Sequence, residues 1–170
     1  MRSSQPHIFA IGDIVGQPML AHKASHEGKI AADVICGKDS YFDNAVIPAV
    51  VYNDPEIMTV GLTKENAEKA GKEVFTGKFP FAALGRSHTM GEPRGFIKIV
   101  AEKDTERILG IHAVGPNASE LTGEAALAIE MGCVLEDFIM TIHAHPTISE
   151  SMVEVAEAAR KEAIHIFNDK

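Results

Sequence analysis

Two imidazoles and a carboxylate fall within eight residues in the segment His143-Ala144-His145-Pro146-Thr147-Ile148-Ser149-Glu150. Pro146 disfavours helical backbone at His145, while the apolar periodicity after Ser149 predicts a helix. His145 is therefore expected in a loop, with Glu150 about one turn inside the helix and able to reach back to it. A carboxylate on one ring nitrogen fixes the tautomer and leaves the other nitrogen as a base, which is what general acid–base catalysis requires. The same residues admit two other readings. Thr147-Ile148-Ser149-Glu150 has the spacing of a capping box, in which Glu150 is purely structural. His143, His145 and Glu150 could instead bind a metal in a hydrolase, although the segment offers few ligands for a complete site.

A second candidate lies near the start of the chain. Asp13 follows Gly12 at the end of the apolar run His7-Ile8-Phe9-Ala10-Ile11, a position from which a carboxylate can accept hydrogen bonds from ribose or ribitol hydroxyls. A helix starting near Pro18-Met19-Leu20-Ala21 would present free N–H groups and the positive end of its dipole to an electron-rich ligand edge. Aspartate after glycine is also ordinary turn chemistry. His22 and His26 sit one helical turn apart without an evident third ligand and read as helix-surface residues. His112 falls in an apolar strand and reads as a satisfied core histidine. The stretch from Gly85 to Gly95 reads as a flexible, solvent-facing loop.

These residues need elements to position them. Residues 7–11 read as a buried strand, followed by a helix that stops at Gly37. A strand–turn–helix standing alone implies a larger sheet, so residues 1–45 are expected to be the tail of another domain. Residues 38–44 are polar and read as a linker. Strands are expected at 46–52, 57–60, 74–81, 96–102 and 108–114, the last two forming a hairpin through Lys103-Asp104-Thr105-Glu106. Thr63 is placed to cap a short helix ending before Gly71. Helices follow at 118–131, 135–140 and 149–167. Strands followed by helices predict an α+β fold for residues 46–170, with an antiparallel sheet packed by helices.

With 45% hydrophobic and 24% charged residues, the chain can bury a substantial core. Its 16 basic against 24 acidic residues leave a net charge of −8, which argues against a nucleic-acid backbone as partner. No apolar run approaches the ~20 residues of a membrane span, and a secretory leader is not evident. A cytoplasmic setting is expected. Cys36 and Cys133 have neither CxxC nor metal-ligand spacing and are expected to be buried, inert thiols.

Together these segments resemble the flavoprotein pyridine nucleotide-disulfide oxidoreductase family, from about residue 7 to 167 and in family order. Ile11-Gly12-Asp13 is similar to the motif whose aspartate holds the ribityl chain of FAD. Met19-Leu20-Ala21-His22-Lys23-Ala24 resembles the helix start whose backbone faces the flavin pyrimidine edge. Tyr52-Asn53-Asp54-Pro55-Glu56 and Val60-Gly61-Leu62-Thr63 are similar to the beginning of the interface domain. The HAHPT segment, with Ser149-Glu150, is the most specific match and favours the members that oxidise dihydrolipoyl groups. The resemblance implies His145 and Glu150 as the catalytic pair, and Asp13, Met19, Leu20, Ala21 and His22 as cofactor-binding residues. It further implies FAD as cofactor and NAD as co-substrate, a homodimer formed through residues 46–170, and lipoyl domains of 2-oxo acid dehydrogenase complexes as partners. No glycine-rich dinucleotide fingerprint or CxxxxC pair occurs in the sequence, so the chain alone is expected to be inactive. The rival expectation is a free-standing dimerisation module without catalysis.

Overall fold

The computed structural model describes residues 1–168, which divide into two compact units, Met1–Ile47 and the described residues from Pro48 onwards. Among the described residues no helix is long and apolar enough to cross a membrane.

In the first unit the expected buried strand at 7–11 does not form. Residues 1–10 instead fold back on themselves. Ser3 donates its N–H to the Ile8 carbonyl and Ala10 to that of Met1, with one isolated bridge between Arg2 and Phe9. The stretch thus pairs with residues 1–3 rather than with a sheet, and Ile8 and Ile11 stay substantially exposed. A 3-10 turn, Gly12–Val15, leads to helix α1, Ala21–Ile35, which begins three residues after Pro18 with Leu20 as an extended N-cap. Ile30 and Ala31 supply its buried apolar stripe. Cys36 at its C-terminal end is exposed, contrary to the buried thiol expected from the apolar pattern.

The second unit is built on a five-stranded, fully antiparallel sheet in the order β1-β2-β5-β4-β3. Its strands are β1, Ala49–Val51; β2, Glu56–Gly61; β3, Val74–Pro80; β4, Phe96–Glu102; and β5, Ile108–Gly115. Alternation along each strand sends successive side chains to opposite faces. Phe79, Ile97, Ala113 and Met58 are register partners across four strands, as are Gly77, Ile99, Ile111 and Val60. The apolar members of both rows are almost fully buried, and each large one contributes about 1.5–3 kcal/mol relative to exposure. The opposite face carries Lys78, Lys98, His112 and Thr59, all exposed or half-buried.

The helices of this unit are α2, Lys64–Lys69; α3, Gly85–Thr89; α4, Thr122–Glu130; α5, Leu135–Met140; and α6, Ser151–Arg160. Helix α6 packs on β3 and β4 and helix α4 on β2 and β5, while the start of α2 lies beside Lys98 and His112. Thr63 caps α2 by accepting the Asn66 N–H at 3.2 Å. In α6, Met152, Val155, Ala156 and Ala159 form a buried stripe at helical spacing. The helix lies so close to β3 that a methyl group on Gly77 would sit 2.4 Å from the Val155 carbonyl oxygen. It ends at Arg160, earlier than the expected 167, because Lys161 turns left-handed at φ 62. Hydrogen bonds from Lys161 to Ala158 and from Glu162 to Glu157 then close the helix. The 85–95 segment also departs from the expected open loop. It contains α3, and Ser87 within it is fully buried.

Candidate active site

The loop between α5 and α6 carries the densest chemistry. Ile148 is its buried anchor, and hydrogen bonds from Ser151 to the Ile148 carbonyl and from Met152 to that of Ser149 turn the chain into α6. His145 projects from this loop with its side chain 73% exposed, while Glu150, at the N-cap of α6, is only 20% exposed. His145 Nδ1 lies 2.8 Å from Glu150 Oε1. The carboxylate is an acceptor, so Nδ1 carries the hydrogen and Nε2 presents its lone pair.

The other Glu150 oxygen, Oε2, accepts the Thr147 N–H at 2.7 Å. One carboxylate thus serves both the imidazole and half of a capping box, and the catalytic and structural readings coexist. The other half of the box is missing. Thr147 Oγ1 donates to the Ala144 carbonyl at 2.7 Å and lies 2.9 Å from Ser149 Oγ. That network holds the loop closed behind the ring. On another side α3 borders the imidazole, since a methyl group added at Gly85 would come 3.1 Å from His145 Cε1. The solvent-facing expectation for this stretch hid that contact.

His143 engages a different carboxylate, its Nε2 standing 2.8 Å from Glu124 Oε1 on α4. The two histidines therefore do not converge on one ion, and among the described residues no group of three His, Cys, Asp or Glu side chains is arranged to hold a metal. Glu124 had no signal in the linear sequence, being one of two glutamates in the Ala-rich helix α4. His112 is half-buried in β5, with Nδ1 3.1 Å from Thr59 Oγ1 and Nε2 3.1 Å from the Leu62 carbonyl oxygen. Burial pushes its pKa below the ordinary histidine value.

The first unit has its own organised loop. Asp13, Met19, Ala21 and His22 are exposed and Leu20 is half-buried. Behind them Lys23 and Glu27 form an ion pair of 2.9 Å, with side chains only 6% and 3% exposed. Glu27 Oε2 accepts the Gly12 N–H at 2.7 Å, and Lys23 Nζ reaches the carbonyl oxygens of Gly12 and Gly16 at 3.5 and 3.2 Å. Gly12 and Gly16 have φ of 78° and 100°, a region that glycine enters without strain. The ion pair thus grips both ends of the turn that displays Asp13. Sequence reasoning missed it, because Lys and Glu four apart on a helix usually mark a solvated face. His26 packs edge-on against Phe42, with ring centroids 5.7 Å apart.

Known proteins carry the same plan. Residues 47–156 match the family described as pyridine nucleotide-disulphide oxidoreductase, dimerisation domain. The chain belongs to that family. It is 52% identical over 168 residues to a dihydrolipoyl dehydrogenase of Thermus scotoductus, covering 99% of this chain and 36% of that protein. It is 51% identical over 167 residues to dihydrolipoyl dehydrogenase 3 of Haloarcula marismortui, covering 98% and 35%. Among solved structures, LpdA from Mycobacterium tuberculosis superposes with a TM-score of 0.83 at 27% identity, covering 92% of this chain and 34% of that one. The flavoprotein disulfide reductase RclA from Escherichia coli superposes at 0.84 with 24% identity, covering 91% and 36%, and is similar in fold. The chain therefore spans about a third of the length of the curated relatives it matches. Within this oxidoreductase family, the antiparallel sheet and its helices are the dimerisation-domain part.

Proposed function

We propose that this chain is the interface-domain part of a dihydrolipoamide dehydrogenase, in which His145 is the acid–base and Glu150 orients it. The observation that carries the reading is the 2.8 Å contact from His145 Nδ1 to Glu150, which leaves Nε2 as an exposed base. In this reading Nε2 takes the proton from a dihydrolipoyl thiol, and the thiolate attacks a redox disulfide to give a mixed disulfide. The second substrate thiol then closes the lipoyl disulfide, releasing the enzyme's two cysteines in reduced form. Cys36 and Cys133 are separate free thiols, so the redox pair belongs to other segments of a full-length enzyme.

The loop at Gly12 suits a flavin by its donor set. Asp13 offers a carboxylate to ribityl hydroxyls, and Met19, Leu20, Ala21 and His22 at the start of α1 are the proposed neighbours of the flavin's pyrimidine edge, Met19 and Leu20 here donating their N–H groups to Gln17 Oε1 and the Pro18 carbonyl. Ile14 and Met19 add exposed apolar surface beside them. Bound FAD would supply the two-electron relay from the redox disulfide to NAD. The proposed assembly is a homodimer, which the match to a dimerisation domain supports, with His145 serving the partner's redox centre. Lipoyl domains of 2-oxo acid dehydrogenase complexes are the proposed partners, and the proposed setting is the cytoplasm, where free thiols persist.

In the full-length enzyme, His145→Ala should lower dihydrolipoamide turnover by about 10²–10⁴-fold while the flavin absorbance of the purified protein is retained. Turnover at the wild-type rate would overturn the assignment.

A further inference from the structure

His143 poses a proton-counting problem. Its Nδ1 lies 3.0 Å from the Thr141 carbonyl oxygen and its Nε2 2.8 Å from Glu124 Oε1. A carbonyl and a carboxylate are both acceptors, whereas a neutral imidazole carries a single N–H. Either neutral tautomer would aim one lone pair at an oxygen lone pair across hydrogen-bond distance. The doubly protonated ring satisfies both partners. Its side chain is 7% exposed, so water is poorly placed to replace a missing bond, and an unsatisfied buried polar group is costly.

We propose that His143 is a positioning residue of the same site. Held as an imidazolium between Thr141 and Glu124, it staples the 141–150 loop to α4 and fixes the backbone from which His145 projects. The proposal rests on the reading of His145 and Glu150 as the acid–base pair. The charges around it are consistent. Glu124 shares a groove of about 340 Å³ with Arg86 from α3 and Glu120 from the preceding 3-10 turn. One cation against two carboxylates leaves an excess of negative charge that a second cation offsets. His145 and Glu150 are the titratable groups on His143's own loop.

The test is nitrogen-resolved NMR of the imidazole rings in this chain at neutral pH. In the wild type, His143 should show two protonated ring nitrogens and His145 one, at Nδ1. His143→Phe, which keeps a flat ring but removes both hydrogen bonds, should shift the His145 tautomer ratio away from Nδ1–H by about fivefold, the equivalent of one hydrogen bond. Glu124→Gln should return His143 to a single proton and shift His145 in the same direction. Unchanged His112 signals would report an intact sheet in both variants. A wild-type His143 carrying one proton would overturn the proposal, as would a His145 ratio unmoved by both substitutions. Glu150→Gln separates the two layers. If it leaves His145 unchanged, the acid–base pairing itself fails. If it moves His145 while the His143 and Glu124 variants do not, only the positioning role fails.

Discussion

The loops at Gly12 and at His145 both present a polar side chain from the approach to a helix, yet they are held by different means. Behind Asp13 the charges are buried, and the Lys23–Glu27 pair spends its hydrogen bonds on the backbone of Gly12 and Gly16. At His145 the deepest backing is apolar, with the hydrogen bonds of Thr147 and the His143–Glu124 contact beside it. Ile148 and the buried stripe of α6 fix the loop, leaving the imidazole in water with only Nδ1 committed. A buried ion pair contributes shape at a considerable desolvation cost. A base must instead stay accessible and change protonation, so rigidity is supplied from behind. At Gly12 the charged pair sits directly beneath the displayed turn; at His145 charged and packed groups hold the loop from behind and leave the base itself exposed.

The comparison breaks most readily where the packing is tightest. Gly77→Ala places a methyl group against the backbone of α6 at Val155 and Ala159, and should destabilise the larger unit by about 3 kcal/mol in urea unfolding. Because α6 carries Glu150 at its N-cap, the His145–Glu150 contact should loosen with it. An unchanged midpoint would mean that close packing does not hold this site. Lys23→Met asks the converse, leaving the Glu27 carboxylate buried without its cation. Amide exchange at Gly12 and Gly16 should accelerate, and exchange at the wild-type rate would show that the turn stands without the pair.

Acid separates the regions more gently. The hydrogen bond to Lys23 and the Gly12 N–H hold Glu27 below its ordinary pKa of 4.5, against the opposing effect of burial. Its stabilising contribution is therefore complete above 4.5 and lost as pH falls through the depressed value. His112 is lowered from 6.5 by burial, so the larger unit should begin to lose stability as pH drops below 6.5, when the unfolded chain binds the proton first. Two-probe acid titration should thus find the sheet weakening before the Gly12 turn, and His112→Gln should remove the earlier slope. The smallest effect concerns the thiols. Cys36 is exposed, whereas burial pushes the Cys133 thiol up. A thiol reagent at neutral pH should therefore modify Cys36 first, and equal rates would contradict the partial burial of Cys133.

The sheet was legible because its hairpin Phe96–Glu102 and Ile108–Gly115 combines apolar runs with a charged turn, a local pattern. The His145–Glu150 pairing was legible for the same reason, since the partners stand five positions apart and Pro146 restrains the backbone between them. The strand expected at residues 7–11 failed because apolar content does not supply a hydrogen-bonding neighbour, and in this unit that neighbour is the chain's own first residues. The end of α6 was misplaced because the apolar stripe continues to Ala163 and Phe167, while the left-handed turn at Lys161 leaves no compositional mark.

What the sequence determined by itself was therefore local: strand and helix periodicity, the cap at Thr63, and a histidine with a carboxylate within reach. Only the tertiary structure decided which charges are buried and which acceptors meet across elements. It brought Glu124 of α4 to His143 over nineteen residues of chain and closed Lys23 and Glu27 beneath the Gly12 turn. Burial and long-range partnership arise from how elements pack, and neither is encoded at any single position or spacing.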